Sequence, residues 1–272
     1  MKIIDAHLHF CPGYSHFDTI ARQAEHENTE AHLKEQYQKY GIEGGIVMGN
    51  RGMEPEKHVY PEFLRYCIGV DRSYLKEHTV SEAYDLIEKN LKRKTCVGIK
   101  LYPGYNRMYI TDKVYEPVYE LAAAYGKPVA VHMGQTAGSN AHLKYSHPLT
   151  MDEAAADHKN VQFVMCHFGN PWLMDAAAVV EKNENVAADL SGLLEGKIDF
   201  PEYRNRQDGY FQALRTWIAY CDSYDKFMFG TDWPLANYGD SIEMTKWLIP
   251  EQEWEQVFSK TAERVYGCIS EL

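Results

Sequence analysis

IIDAHLHF, residues 3–10, is the stretch on which the fold turns. Its opening is apolar and β-branched, as a strand covered on both faces requires. It ends in His7-Leu8-His9. Residues i and i+2 of a strand project from the same face, so both imidazoles point the same way. The stretch thus predicts a buried strand with paired chemistry at its C-terminal end.

Runs of the same kind recur along the chain at 44–49 (GGIVMG), 65–70 (RYCIGV), 96–101 (CVGIKL), 129–133 (VAVHM), 161–167 (VQFVMCH), 186–190 (VAADL) and 226–230 (KFMFG). Longer segments of helical character separate them. The clearest starts at Asp112 as N-cap, places Val114, Val118, Leu121 and Ala122 on one face, and stops at Gly126-Lys127-Pro128. Others run from about Ser81 through Leu91, through the alanine-rich stretch after Pro171, and from Glu251 to Tyr266. About eight strands alternating with helices mean parallel pairing through crossover helices. An open doubly wound sheet would favour a glycine-rich phosphate loop, and Gly41 to Gly52 lacks the G-x-G-x-x-G spacing. The expected fold is α/β, a single (β/α)8 TIM barrel, with 1–272 as one domain.

The 272 residues slightly exceed the roughly 250 of such a barrel. Apolar residues make up 45% and charged residues 25%, the proportions of an ordinary globule. Lys and Arg total 28 against 39 Asp and Glu, a net charge of −11, which argues against nucleic acid or an anionic membrane as partner. No apolar run approaches the ~18 residues of a membrane span, and the N-terminus lacks a signal-peptide core, so a cytoplasmic location is expected. The six cysteines, Cys11, Cys67, Cys96, Cys166, Cys221 and Cys268, form no C-x-x-C pair and read as small buried hydrophobes.

A barrel gathers the C-terminal ends of its strands around one rim, where its active site lies. His7 and His9 close the first strand, Lys100 the fourth, His132 the fifth and His167 the sixth, and Asp232 follows the eighth. Each alone reads as an ordinary hydrogen-bonded or solvated side chain; together they form a set of imidazoles and a carboxylate. Such ligands suit Zn2+, with Mn2+, Fe2+ and Co2+ as other occupants, and an open rim leaves room for water. Alternation is expected to turn Cys166 away from the side that His167 faces. The remaining histidines read as solvated.

The ordered motifs IIDAHLHF, GIKLYPGY, KPVAVHMG, VQFVMCHFGNPWLMDA, ADLSG, FGTDWP and KTAERVYG resemble the amidohydrolase superfamily, in particular its amidohydrolase-2 branch. That branch includes aminocarboxymuconate-semialdehyde and resorcylate decarboxylases as well as hydrolases and lactonases, and the resemblance covers nearly the whole chain. It implies that His7, His9, His132 and Asp232 hold one divalent metal, with His167 joining the coordination or holding the water. It also implies that Lys100 occupies the place of the lysine that binuclear members carboxylate to bridge a second metal. Many decarboxylases of the branch lack a lysine there. Thr261 stands where an asparagine is common.

The function expected is hydrolysis of a small carboxylate-bearing ester, lactone or amide by a metal-activated water, with Asp232 as general base, His167 orienting the water, and Lys100 as ammonium or bridge. Non-oxidative decarboxylation of an unsaturated or aromatic acid is the alternative. Arg51, Arg72 and Arg107 follow strands two, three and four and are expected to grip the anionic substrate, with Tyr102 and Trp233 walling it. A homodimer is compatible with this reading.

Overall fold

A computed structural model describes residues 1–267, the side chains of residues 72–74 excepted. The apolar runs become eight parallel strands in spatial order β1 to β8. They are β1 (Ile3–Leu8), β2 (Ile42–Met48), β3 (Leu64–Val70), β4 (Cys96–Leu101), β5 (Val129–His132), β6 (Phe163–Cys166), β7 (Val186–Asp189) and β8 (Phe227–Met228). The ring closes past the short β8. Ala6 N–H donates to Phe229 O (2.9 Å), Asp232 N–H to His7 O (2.8 Å) and His9 N–H to Trp233 O (2.7 Å).

Helices α1 (Ser15–Gln23) and α2 (Glu30–Tyr40) join β1 to β2, and α3 (Arg72–Glu77) and α4 (Val80–Leu91) join β3 to β4. Next come α5 (Pro103–Asn106), α6 (Glu116–Tyr125), α7 (Leu149–Asp157), α8 (Leu173–Lys182), α9 (Phe200–Arg206) and α10 (Asp208–Tyr220). After β8 follow α11 (Tyr238–Leu248) and α12 (Thr261–Tyr266). The crossover from β2 to β3 holds only a 3-10 turn, Pro55–Lys57. Local chemistry sets several ends: Thr79 and Glu82 form a capping box on α4, and Gly126 ends α6 in the left-handed conformation.

Two helices differ from expectation. Asp112 does not cap α6; its Oδ2 accepts the Tyr109 N–H (2.9 Å), and a 3-10 turn intervenes before Glu116. The segment 251–266 is broken into a 3-10 turn, a π-helical turn (Gln256–Lys260) and α12. The Val257 carbonyl there accepts Phe229 N–H (2.8 Å), which ties this turn to the barrel.

The core has two layers. Between strands and helices lies the larger one, and inside the ring lies a smaller cluster that includes Ile4, Ala6, Ile46, Met48, Cys67, Val164, Cys166 and Met228. Ala262, Val265 and Tyr266 of α12 join that inner cluster. The Lys2–Glu263 ion pair (2.8 Å) fixes α12 beside the start of β1, so an apolar helix closes this end of the barrel. Cys11, Cys67, Cys96, Cys166 and Cys221 are buried free thiols, and Cys268 lies outside the described residues. Among the described residues no helix is long and apolar enough to cross a membrane.

Candidate metal centre and active site

A bulge in β1 aims the first two histidines. Asp5 pairs with Gly45 and Leu8 with Val47, so three steps of β1 run against two of β2. Asp5 therefore faces the helix layer, where its carboxylate accepts from Thr231 Oγ1 (2.7 Å), Thr231 N (3.0 Å) and Tyr238 Oη (3.0 Å). His7, two residues on, faces the barrel interior, where its Nδ1 meets Asp189 Oδ2 (2.9 Å). On the far side, His167 and Asp232 sit in left-handed backbone, at φ 62° and 63°. That conformation costs a non-glycine residue about 1–3 kcal/mol and is concentrated at functional sites. At His167 it breaks strand alternation. Contrary to the expectation from alternation, Cys166 also points inward, its Sγ within 4.8 Å of ligand atoms of His7 and Asp189.

Asp232 Oδ1 lies 3.5 Å from His7 Nε2 and 3.2 Å from His9 Nε2. The other nitrogen of each ring faces an acceptor: His7 Nδ1 the Asp189 carboxylate, and His9 Nδ1 the Met48 carbonyl (3.2 Å). Each ring proton therefore sits on Nδ1, and each Nε2 presents its lone pair. Three lone pairs thus converge with no proton between them. His7 Nε2 and Asp232 Oδ1 are both buried without a hydrogen-bond partner, an arrangement that costs about 1–3 kcal/mol per atom. A divalent cation with N and O ligands fits this set, and Asp189 behind His7 is the carboxylate that orients a ligating imidazole.

The electrostatics agree with that reading. Burial pushes His7 down to about 4, against the opposing pull of Asp189, so the ring is neutral at pH 7. Burial likewise lowers His132, reinforced by His167 and Lys100, and it lowers His167. Burial alone would raise Asp232, but the imidazoles of His9, His7 and His167 outweigh it and hold the carboxyl well below its usual range. Asp189 is held low in the same way, chiefly by His7.

His132 and His167 adjoin the trio, with His132 Nδ1 3.1 Å from His167 Nε2. The Gln135 carbonyl, 2.9 Å from His132 Nε2, and the Ser191 carbonyl, 3.1 Å from His167 Nδ1, each fix a ring proton, so His132 Nδ1 and His167 Nε2 face each other as lone pairs. Asp189 Oδ1 accepts the backbone N–H of His167 (3.0 Å). Gly192, at φ +62°, permits the close approach: a Cβ there would lie 2.7 Å from His167 Nδ1 and 3.2 Å from Asp232 Oδ2.

Above the trio opens a cavity of about 470 Å³. His9, His132, His167 and Asp232 line it beside the aromatic rings of Phe17, Tyr102 and Tyr105. Its polar wall is made by His16, Asn50, Asp71, Gln135, Asn170 and Glu195. Tyr102 thus stands where expected, but several other expected residues do not. The Arg51 guanidinium turns back to the Phe10 carbonyl and lies over the rings of Phe10 and Tyr60. Arg107 points outward to Asn140 O (2.6 Å), since its left-handed backbone ends α5. Trp233 is fully buried in the core, stacked with Phe10, and does not line the cavity. Lys100 lies inside the barrel, 1% exposed, with Nζ 2.7 Å from Cys166 Sγ and no face on the cavity. The side chain of Arg72 lies outside the described residues.

Sequence reasoning missed Asp189, although a carboxylate ending the apolar run VAAD was the signal. It also passed over Asp71 for its neighbour Arg72. Two histidines expected to be solvated are buried: His26, bonded to His32 (3.0 Å), and His58, stacked on Tyr66.

The family model described as amidohydrolase matches residues 4–268. No protein of curated function matches the sequence. Several solved structures share the fold. An amidohydrolase from Burkholderia multivorans with bound zinc aligns at TM-score 0.68 and 15% identity, covering 98% of this chain and 99% of that one. A probable 2-pyrone-4,6-dicarboxylic acid hydrolase from Acinetobacter baumannii, with citric acid bound, aligns at 0.66 and 18%, covering 98% and 100%. A dihydroxybenzoic acid decarboxylase from Polaromonas, with bound manganese and an inhibitor, aligns at 0.65 and 15%, covering 97% and 96%.

Proposed function

Because the chain belongs to the amidohydrolase family, whose model it matches almost end to end, we propose that it is a metal-dependent hydrolase of a small ester, lactone or amide. The observation that carries this reading is the convergence of His7 Nε2, His9 Nε2 and Asp232 Oδ1, two of them buried without partners, at the floor of an open cavity. His7, His9 and Asp232 would hold one divalent cation, with His132 and His167 beside them. Imidazole and carboxylate suit Zn2+ and accept Mn2+, the two ions held by the zinc- and manganese-bound relatives. The chemistry supplied by a cation held there would be polarisation of a substrate carbonyl and a lowering of the pKa of a water towards neutrality.

The protein's own residues do the rest. Asp232, ionised at neutral pH, takes the proton of the attacking water at Oδ2, the oxygen facing Gly192, and returns it to the leaving group. His167, its proton held on Nδ1 by the Ser191 carbonyl and its backbone anchored to Asp189, orients the attacking water by accepting a hydrogen at Nε2. Asp189 keeps the His7 proton on Nδ1, so Nε2 stays a ligand atom. Lys100, its Nζ bonded to Cys166 Sγ inside the barrel and away from the cavity, favours one metal over two.

The test is turnover of an ester, lactone and amide panel by metal-loaded protein in 18O-labelled water. Hydrolysis puts label into the product acid, whereas CO2 release without label makes the protein a decarboxylase. Asp232→Asn should lower kcat by at least the ~10²-fold of lost general acid–base catalysis, while His7 and His9 retain part of the metal. Near-normal turnover by metal-replete Asp232→Asn would move the base to His167.

A further inference from the structure

The charges around the cavity do not suit an anionic substrate tail. Resting on the hydrolytic reading above, we infer that the part of the substrate beyond the reacting carbonyl is uncharged or cationic and bears hydrogen-bond donors, a hydroxyl or an amine. Among the described residues that line the cavity there is no lysine or arginine. The two described arginines nearest in sequence are held elsewhere, Arg51 by the Phe10 carbonyl and two aromatic faces, Arg107 by Asn140 O. Lys100 is sealed beneath the metal ligands against Cys166.

The charge that does reach this wall is negative. Glu195 brings an exposed carboxylate to the lining, and Asp71 a second one that is already engaged in an interaction of its own. Asp232 is also acidic, but its charge faces the ligand cluster. Around this wall lies a chain of net charge −11, whose field opposes entry of an anion and favours a cation. Tyr102 is bonded to Gly49 O (2.9 Å) and Tyr105 takes Ala137 N–H (3.0 Å), so both rings are fixed as walls for the tail rather than as charge partners. A carboxylate tail would face Glu195 without a paired cation, and a hydroxyl or ammonium would meet an acceptor.

The experiment uses three hydroxamates that share one metal-binding head and differ in the tail: 3-aminopropanohydroxamate, 3-hydroxypropanohydroxamate and succinic monohydroxamate. Their affinities for zinc-loaded protein are read by calorimetry at fixed pH and salt. The amino and hydroxy compounds are expected to bind at least tenfold tighter than the carboxylate. Glu195 is exposed, so Glu195→Lys should fold normally and should narrow or reverse that order. A carboxylate tail that binds as tightly as the others overturns the inference. If Arg72→Ala then removes that binding, the anion grip belongs to Arg72. Zinc-loaded protein that binds none of the three overturns the hydrolytic reading itself, and this inference with it.

Discussion

The two ends of the barrel solve opposite problems. At one end Ala262, Val265 and Tyr266 of α12 cover the apolar interior of the strands, and apolar packing dominates, with Tyr266 Oη buried there without a partner. At the other, histidines and carboxylates crowd one floor, and two of their atoms are buried without partners. A fold tolerates such atoms where a bound group completes them, since leaving them bare costs more than a typical hydrogen bond contributes. The sealed end therefore owes its form to stability and the open end to chemistry, and substitutions should separate the two.

The largest effect is expected at the open end. His7→Ala with His9→Ala should take bound metal from one equivalent per chain to none and abolish turnover, with the far-ultraviolet dichroism of the barrel retained. Full metal content in that double variant would place the site elsewhere. At the sealed end, Ile4→Ala removes a fully buried side chain of the inner cluster. It should lower stability by about 2–5 kcal/mol in urea unfolding and leave metal affinity unchanged. A parallel loss of metal affinity would mean that the two ends are not independent.

A smaller effect is expected behind the metal ligands. Asp189→Asn frees the ring of His7 and should weaken metal binding about 10–100-fold in competitive chelator titrations. Unchanged affinity would reduce Asp189 to a packing role.

The smallest effect pits the two sides of β1 against each other. His7, facing inward, is depressed from 6.5 to about 4, so the metal-free fold binds fewer protons than the unfolded chain in that window and loses stability as pH falls through it. Asp5, facing outward, is raised by burial from 3.8 to about 7, so it contributes stability at low pH that is lost as pH rises through 7. The two slopes oppose. Asp5→Asn should therefore steepen the acid-side loss of the metal-free protein and His7→Ala should flatten it, as read from urea midpoints between pH 7 and 4. Identical slopes in both variants would remove the assigned burial from the account.

The ring of strands was legible because parallel strands covered on both faces must read as apolar runs, and IIDAHL, CVGIKL and VAVH all do. The residues at strand ends were legible for the same reason: a histidine or lysine ending such a run stands out. Loop directions were not legible. Arg51 and Arg107 follow strands as a substrate grip would, but a carbonyl and two rings in one case, and a left-handed turn in the other, decide where they point. Nor does strand periodicity contain the bulge at His7 or the left-handed backbone at His167 and Asp232, since both answer to tertiary hydrogen bonds. Lys100 shows the limit best: its place at the end of β4 was readable, but its partner Cys166 appeared only once the alternation in β6 was broken.

The central claim is that one cation completes the lone pairs of His7, His9 and Asp232. Anomalous diffraction at the zinc edge, from crystals of zinc-loaded protein, tests it most directly. The account predicts a single strong peak per chain bounded by His7 Nε2, His9 Nε2 and Asp232 Oδ1. A peak at another histidine cluster, such as His26 with His32, and none among these three atoms, would contradict it.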